Sequence, residues 1–211
     1  GGTGVLTITS LIAMAAHIEG KGCATLNQTG LAQKFGAVVS HVRVASAQDD
    51  IKAVRIPAGE ADLLIACDLV VSTGYEAMGK VAHGRTHAVI NDNEQPTAAF
   101  VQDPDAYFPA EGMRQKVAAQ VGDQLEFVHA SDIAVQLTGD AIGTNLFMLG
   151  YAWQRGWVPV GKAALERAIE LNGVAVEFNK SAFLLGRRFA NQPELVESLL
   201  PQESSKIDTQ F

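Results

Sequence analysis

The amino-acid sequence predicts an α/β layer fold with a mainly parallel sheet and a helical C-terminal part. Three observations carry the prediction. Short apolar runs alternate with helical stretches along most of the chain. Glycines open the chain directly before an apolar helix, and from Gly161 the pattern is helical almost to Leu200.

Taken in order, Val5 to Ile18 reads as a helix ended by Gly20 and Gly22, and Cys23 to Leu26 as a short strand. Ala37 to Val44 carries Val38, Val39, Val42 and Val44 and reads as a buried strand. Ile51 to Ile56 alternates like a further strand until Pro57 stops it, and Ala61 to Cys67 is another buried strand. Leu69 to Lys80 reads as one helix. His87 to Ile90 reads as a strand running into the polar turn Asn91-Asp92-Asn93. Pro96 to Pro109 is a long connection. Glu111 to Gln120 is helical, Leu125 to His129 a strand, and Ser131 the N-cap of the next helix. Asn145 to Arg155 follows as a helix with an aromatic and Met stripe (Phe147, Met148, Tyr151, Trp153) suited to core packing. Breaks are expected near Asn172-Gly173 and Asn191-Gln192-Pro193. One domain is expected over 1–200, with C-terminal helices from about 161 and a tail or linker at 201–211.

The composition excludes several classes. With 47% hydrophobic and 18% charged residues, the 211-residue chain is globular rather than disordered. A net charge of −7 gives no footprint for nucleic acid. The uncharged opening lacks a positive n-region, and His17 and Glu19 close it before a membrane-spanning length, so neither signal peptide nor membrane span is expected. A cytoplasmic location fits. The two cysteines, Cys23 and Cys67, are too few for a four-cysteine cluster, and Cys67 reads as a packed, reduced thiol. His83 and His87 are four apart, but Gly84 between them argues against a metal pair. Ser40, His41 and Asp68 can be assembled into a triad only as in any chain of this length, and no GxSxG elbow supports it.

The opening Gly1-Gly2-Thr3-Gly4 permits close backbone approach of an anion to a helix N-terminus. Such a loop normally follows a strand, so a strand is expected upstream of Gly1, near the middle of the sheet. A nicotinamide dehydrogenase would need an acidic residue about 20 positions on, at the end of the second strand. None stands between Gly20 and Gln48. That stretch instead holds Lys21, Lys34, His41 and Arg43, a local positive excess suited to a phosphate-bearing ligand or an acidic neighbour.

Residues 27–43 form a polar, glycine-punctuated loop leading into a strand. With the opening GGTGVLT they resemble the gamma domain of 2-oxoacid:ferredoxin oxidoreductases, whose second loop reads Gly-x-x-Gln-[Lys/Arg]-Gly-Gly before a strand ending Val-[Arg/Lys]. Gly30, Gln33, Lys34, Gly36, Val42 and Arg43 fit; Phe35 stands where a glycine is usual. Gly59 to Asp68, Thr144 to Gln154, Glu166 to Gly173, Asn179, Phe183 and Gly186-Arg187-Arg188 extend the resemblance over roughly 1–190, closest to the large, fused indolepyruvate enzymes.

The resemblance implies a Rossmann-like three-layer fold. It also implies a component of an oligomeric enzyme that oxidatively decarboxylates aryl pyruvates to acyl-CoA with thiamine diphosphate, [4Fe-4S] clusters, coenzyme A and ferredoxin. Thiamine and clusters would lie in partner domains or subunits, and the chain would be a piece of the whole. From loop chemistry and motif position, Gly2, Thr3, Gly4, Gln33, Lys34 and Gly36 are the candidate ligand-binding residues; no catalytic residue or metal ligand is assigned. The alternatives are a non-catalytic scaffold of that complex and a stand-alone nicotinamide dehydrogenase.

Overall fold

The computed structural model of the chain describes residues 4–29, 37–93 and 109–200. Helix α1 (Val5–Ile18) is apolar nearly all round and is therefore wrapped by neighbours on most sides: Ile8, Leu11, Ile12, Ala15 and Ala16 are buried. It ends where Gly20 takes φ +69°, a left-handed value that glycine adopts without a Cβ penalty. The chain then enters β1 (Gly22–Thr29), which pairs antiparallel with β2 (Val38–Ala45) from Gly22 opposite Ala45 to Thr29 opposite Val38. β1 is longer than the strand expected from Cys23. Its direction follows from loop length: residues 30–37 are too few for the crossover of a dozen or more that a parallel pair needs.

The parallel sheet comes next. β3 (Leu63–Ala66), β4 (His87–Asn91) and β5 (Leu125–Val128) lie in the order β3–β4–β5, all parallel. Ala88, Val89 and Ile90 are fully buried, as both faces of a covered central strand must be. On one face Ala88 and Ile90 meet α2 (Leu69–Ser72), α3 (Tyr75–Met78) and α4 (Ala110–Val121) through Leu69, Met78, Val117 and Val121. On the other, Val89 and Val128 join the main core with α1, α5 (Ala130–Thr138), α6 (Thr144–Gln154), α7 (Lys162–Asn172) and α8 (Val176–Asn191), followed by α9 (Pro193–Glu197).

The expected α/β fold with a parallel sheet and C-terminal helices is present, and the helix breaks fall at Gly173 and Gln192. Three local expectations are corrected. Ile51 to Ile56 is not a strand: the Ile56 N–H donates to His41 Nδ1 at 3.1 Å and the Arg55 carbonyl accepts from Arg43 at 3.4 Å, so side chains take the bonds a ladder would use. Leu69 to Lys80 is two short helices, parted where Gly74 is extended (ψ 156°) and Thr73 bonds back to the Val70 carbonyl. Ser131 is not an N-cap but sits inside the first turn of α5.

The aromatic stripe of α6 is core: Phe147 and Met148 are fully buried, and Trp153 donates to the Val160 carbonyl at 2.8 Å. Helices α6 and α8 cross with backbones nearly touching. A Cβ on Gly150 would lie 2.0 Å from the Phe183 carbonyl oxygen, and one on Gly186 would lie 1.9 Å from that of Phe147.

Candidate functional site

Polar groups buried in a core are retained only where they bond one another or serve a ligand. Here a row of them runs along the carboxyl ends of the parallel strands, where open α/β sheets receive ligands. Asn91, last residue of β4, donates its amide to the Cys67 carbonyl at 3.1 Å and to Ser131 Oγ at 2.8 Å. Thr144 Oγ1 lies 3.4 Å from the same Ser131 hydroxyl. The next residue, Asn145, is only 4% exposed and brings its amide to Gly4: a Cβ there would be 3.1 Å from Asn145 Nδ2. The ends of β3 and β4 and the starts of α1, α5 and α6 therefore meet through side chains.

Gly4 precedes α1 with φ +81°, ψ 14°, a left-handed turn that lets the chain approach Asn145. Among the described residues no side chain caps helix α1, and its own first turn holds no acidic residue to oppose an anion at its positive end. Of the six residues expected to bind a ligand, Gly4 is the one within the described residues; Gly2, Thr3, Gln33, Lys34 and Gly36 lie outside them. β1 and β2, which flank 30–36, both pack on α1.

The expected positive excess divides on inspection. Lys21 is a staple at the other end of α1, donating to Glu19 at 2.8 Å and to the Pro159 carbonyl at 2.7 Å. Its partner Glu19 also accepts from the Gly161 N–H at 2.7 Å. The Lys21 and Gly161 bonds hold the Glu19 carboxyl below its ordinary range. His41 is 2% exposed and carries no charge to offer: its Nδ1 accepts from Ile56, which leaves the proton on Nε2 facing Gln28 Oε1 at 3.3 Å. Burial, then the nearby Lys80 and Arg55, push its pKa below the ordinary 6.5. Arg43 remains, held on the Arg55 carbonyl, while Arg55 pairs with Glu76 at 3.0 Å.

Beyond Asn91, Asp92 is nearly buried, with Oδ2 3.5 Å from Arg114 Nε and Oδ1 2.8 Å from His129 Nδ1. The second approach lacks hydrogen-bond geometry, so it is a contact of charge when the imidazole is protonated. Cys67 fits its expected inert role: burial, with Asp68 beside it, pushes the thiol up to about 12. His83 lies in a turn and His87 opens β4, so the two share no helical face. Among the described residues no group of three His, Cys, Asp or Glu side chains is placed to hold a metal, and no helix is long and apolar enough to cross a membrane.

Sequence reasoning missed Asn91, which looked like a turn, and gave Ser131 and Asn145 no place in the site. The one available signal was a polar triplet directly after a strand that is otherwise apolar.

Residues 1–189 match the family described as pyruvate ferredoxin/flavodoxin oxidoreductase. The chain belongs to that family. Similar proteins include indolepyruvate oxidoreductase subunit IorB of Archaeoglobus fulgidus, 30% identical over 192 residues covering 88% of this chain and 89% of that one. The IorB subunit of Pyrococcus horikoshii is 26% identical, covering 91% and 93%. The fold is that of a keto/oxoacid ferredoxin oxidoreductase gamma subunit from Geobacter sulfurreducens PCA: TM-score 0.63 at 20% identity, over 90% of this chain and 94% of that one. It also superposes on 2-oxoglutarate:ferredoxin oxidoreductase from Magnetococcus marinus, solved with 2-oxoglutarate, coenzyme A and succinyl-CoA bound. There the TM-score is 0.64 at 16% identity, over 90% of this chain and 29% of the longer one. As a member of the pyruvate ferredoxin/flavodoxin oxidoreductase family, the chain is a component of an oxidoreductase, and the polar row joining Gly4 to the sheet is its candidate site.

Proposed function

We propose that this chain is the gamma component of a 2-oxoacid:ferredoxin oxidoreductase that converts indolepyruvate or another aryl pyruvate to acyl-CoA and CO2 while reducing ferredoxin in the cytoplasm. Two IorB relatives aligned over nearly their whole length support the substrate class. Thiamine diphosphate supplies the decarboxylation chemistry and [4Fe-4S] clusters the electron path. Two cysteines cannot ligate such a cluster, so the clusters belong to partner domains or subunits, and the family resemblance puts the thiamine site there too.

The chain's own task is to receive the phosphates of coenzyme A. The observation that carries this is Gly4, left-handed before an uncapped helix and packed on a buried asparagine. Backbone N–H groups and a positive helix end suit an anion there, and no nearby first-turn carboxylate opposes it. Motif position adds Gly2, Thr3, Gln33, Lys34 and Gly36 to that surface. These groups bind and orient; they move no proton.

Titration of coenzyme A into the intact complex tests the reading. Gln33→Ala and Lys34→Glu are expected to weaken binding by about 10-fold or more, as loss of charge-assisted phosphate contacts does. Unchanged affinity for both means that the chain is a scaffold. Tight NADH binding by the chain alone would replace the reading with a dehydrogenase.

A further inference from the structure

The parallel sheet stops at β5, and among the described residues no strand pairs with its far side. Toward β4, the carbonyls of Gln124 and Val128 accept from the Ala88 and Asp92 N–H groups. Alternation along a strand then turns the N–H and C=O groups of Leu125 and Phe127 to the open side.

That side is a cleft of about 470 Å³. Three consecutive residues, Phe127, Val128 and His129, line it, with Phe189 and Leu200 across from them. Phe127 packs toward one core and Val128 toward the other, so these last two residues of β5 reach one cleft around the strand's edge, and His129 continues its lining beyond the strand. Asp132 and Glu197 give the cleft an acidic lining.

Open edges are normally guarded by inward charges, proline or a bulge. β5 reads Leu-Glu-Phe-Val, and its one charge is spent elsewhere: Glu126 accepts from the Tyr151 hydroxyl at 2.6 Å and pairs with Arg155. Among the described residues the shortness of the strand is what protects this edge.

We propose that the β5 edge is an interface, on which an extended segment of a partner subunit adds as a further strand. Its apolar side chains enter the cleft against Phe189 and Leu200, and its basic side chains meet Asp132 and Glu197. The acidic lining selects this occupant over a second copy of the chain. Two copies joined through β5 would bring Asp132 and Glu197 of each toward those of the other, and like charges facing across a strand pair oppose association. The proposal rests on the assignment of the chain as one component of a larger oxidoreductase.

Hydrogen exchange at the Leu125 and Phe127 amides, compared between the full chain alone and the assembled enzyme from its native source, tests it. Both amides are expected to exchange readily in the chain and to slow by about 100-fold or more on assembly. Asp132→Lys with Glu197→Lys is expected to weaken assembly by about 10-fold or more. Zero-length carboxylate–amine coupling of the wild-type assembled enzyme should link Asp132 or Glu197 to a partner lysine, a readout that does not depend on the chain standing alone.

Amides already slow in the chain alone mean that its own residues cover the edge. Protection that rises with chain concentration means self-pairing. Either result overturns the proposal. An assembled enzyme with unprotected amides and no cross-link overturns it while leaving the functional assignment intact; a chain that joins no complex overturns both.

Discussion

Helices α1 and α5 begin side by side and are finished in opposite ways. N–H groups in the first turn of α5 are taken by side chains from the end of β4 and the residues just after it: Ser131 N donates to Asn91 Oδ1 at 3.2 Å and to Asn93 Oδ1 at 3.1 Å, and Asp132 N donates to Asn93 Oδ1 at 3.4 Å. The start of α1 has a glycine and no side-chain cap. A helix end closed by the protein's own amides contributes stability and has nothing left for a ligand. An end bordered by glycine and lacking acid is available to an anion. Both abut α6, through Thr144 for one and Asn145 for the other, so the closed end holds the open one in place.

Four changes break or sharpen that contrast. The largest effect is expected from Gly186→Ala, because its Cβ cannot coexist with the Phe147 carbonyl 1.9 Å away and α6 must shift under both helix ends. Urea unfolding should show a loss of about 4 kcal/mol or failure to fold. Asn91→Ala loosens the closed end: the Cys67 carbonyl and Ser131 Oγ lose the Asn91 amide, and the Ser131 N–H is left with Asn93 alone. A loss of about 3 kcal/mol is expected, with a smaller fall in coenzyme A affinity of the folded complex than Gly4→Ala produces. Gly4→Ala reverses that ratio: about 1–2 kcal/mol of stability from the left-handed backbone, but about 10-fold or more in coenzyme A affinity.

Glu19→Gln should have the smallest effect, about 0.5 kcal/mol, since the ion pair is partly solvated. Its sign is fixed by the lowered carboxyl. The contribution is complete above the ordinary value of 4.5 and is lost as pH falls through the lower folded value. The stability curves of variant and wild type should therefore converge in acid.

The sequence made the fold legible wherever local pattern and tertiary role agree. The bounds of α1 could be read from an unbroken apolar run stopped by glycines, and those of α8 from asparagine, glycine and proline at its ends. Ile51 to Ile56 misled because alternation is necessary for a strand but pairing makes one, and here His41 and Arg43 occupy the bonding groups. Leu69 to Lys80 misled because Lys116, far along the chain, fastens the Thr73 carbonyl at the break. For the candidate site, the glycine loop was visible as composition. Asn91 was not, since its partner Ser131 is forty residues away and no local spacing announces the bond. Asn145 likewise has meaning only beside Gly4.

The staple at the far end of α1 has a mechanical consequence. Glu19 and Lys21 fasten that end to Pro159 and Gly161, while Gly4 sits about 21 Å away at the other tip. Among the described residues the β1–β2 ribbon shares no strand pairing with the parallel sheet, so α1, which packs on the ribbon, ties it to the main core. A rod fastened by the staple at one end and seated on Asn145 at the other works as a strut, holding the glycine tip at a set distance from the staple.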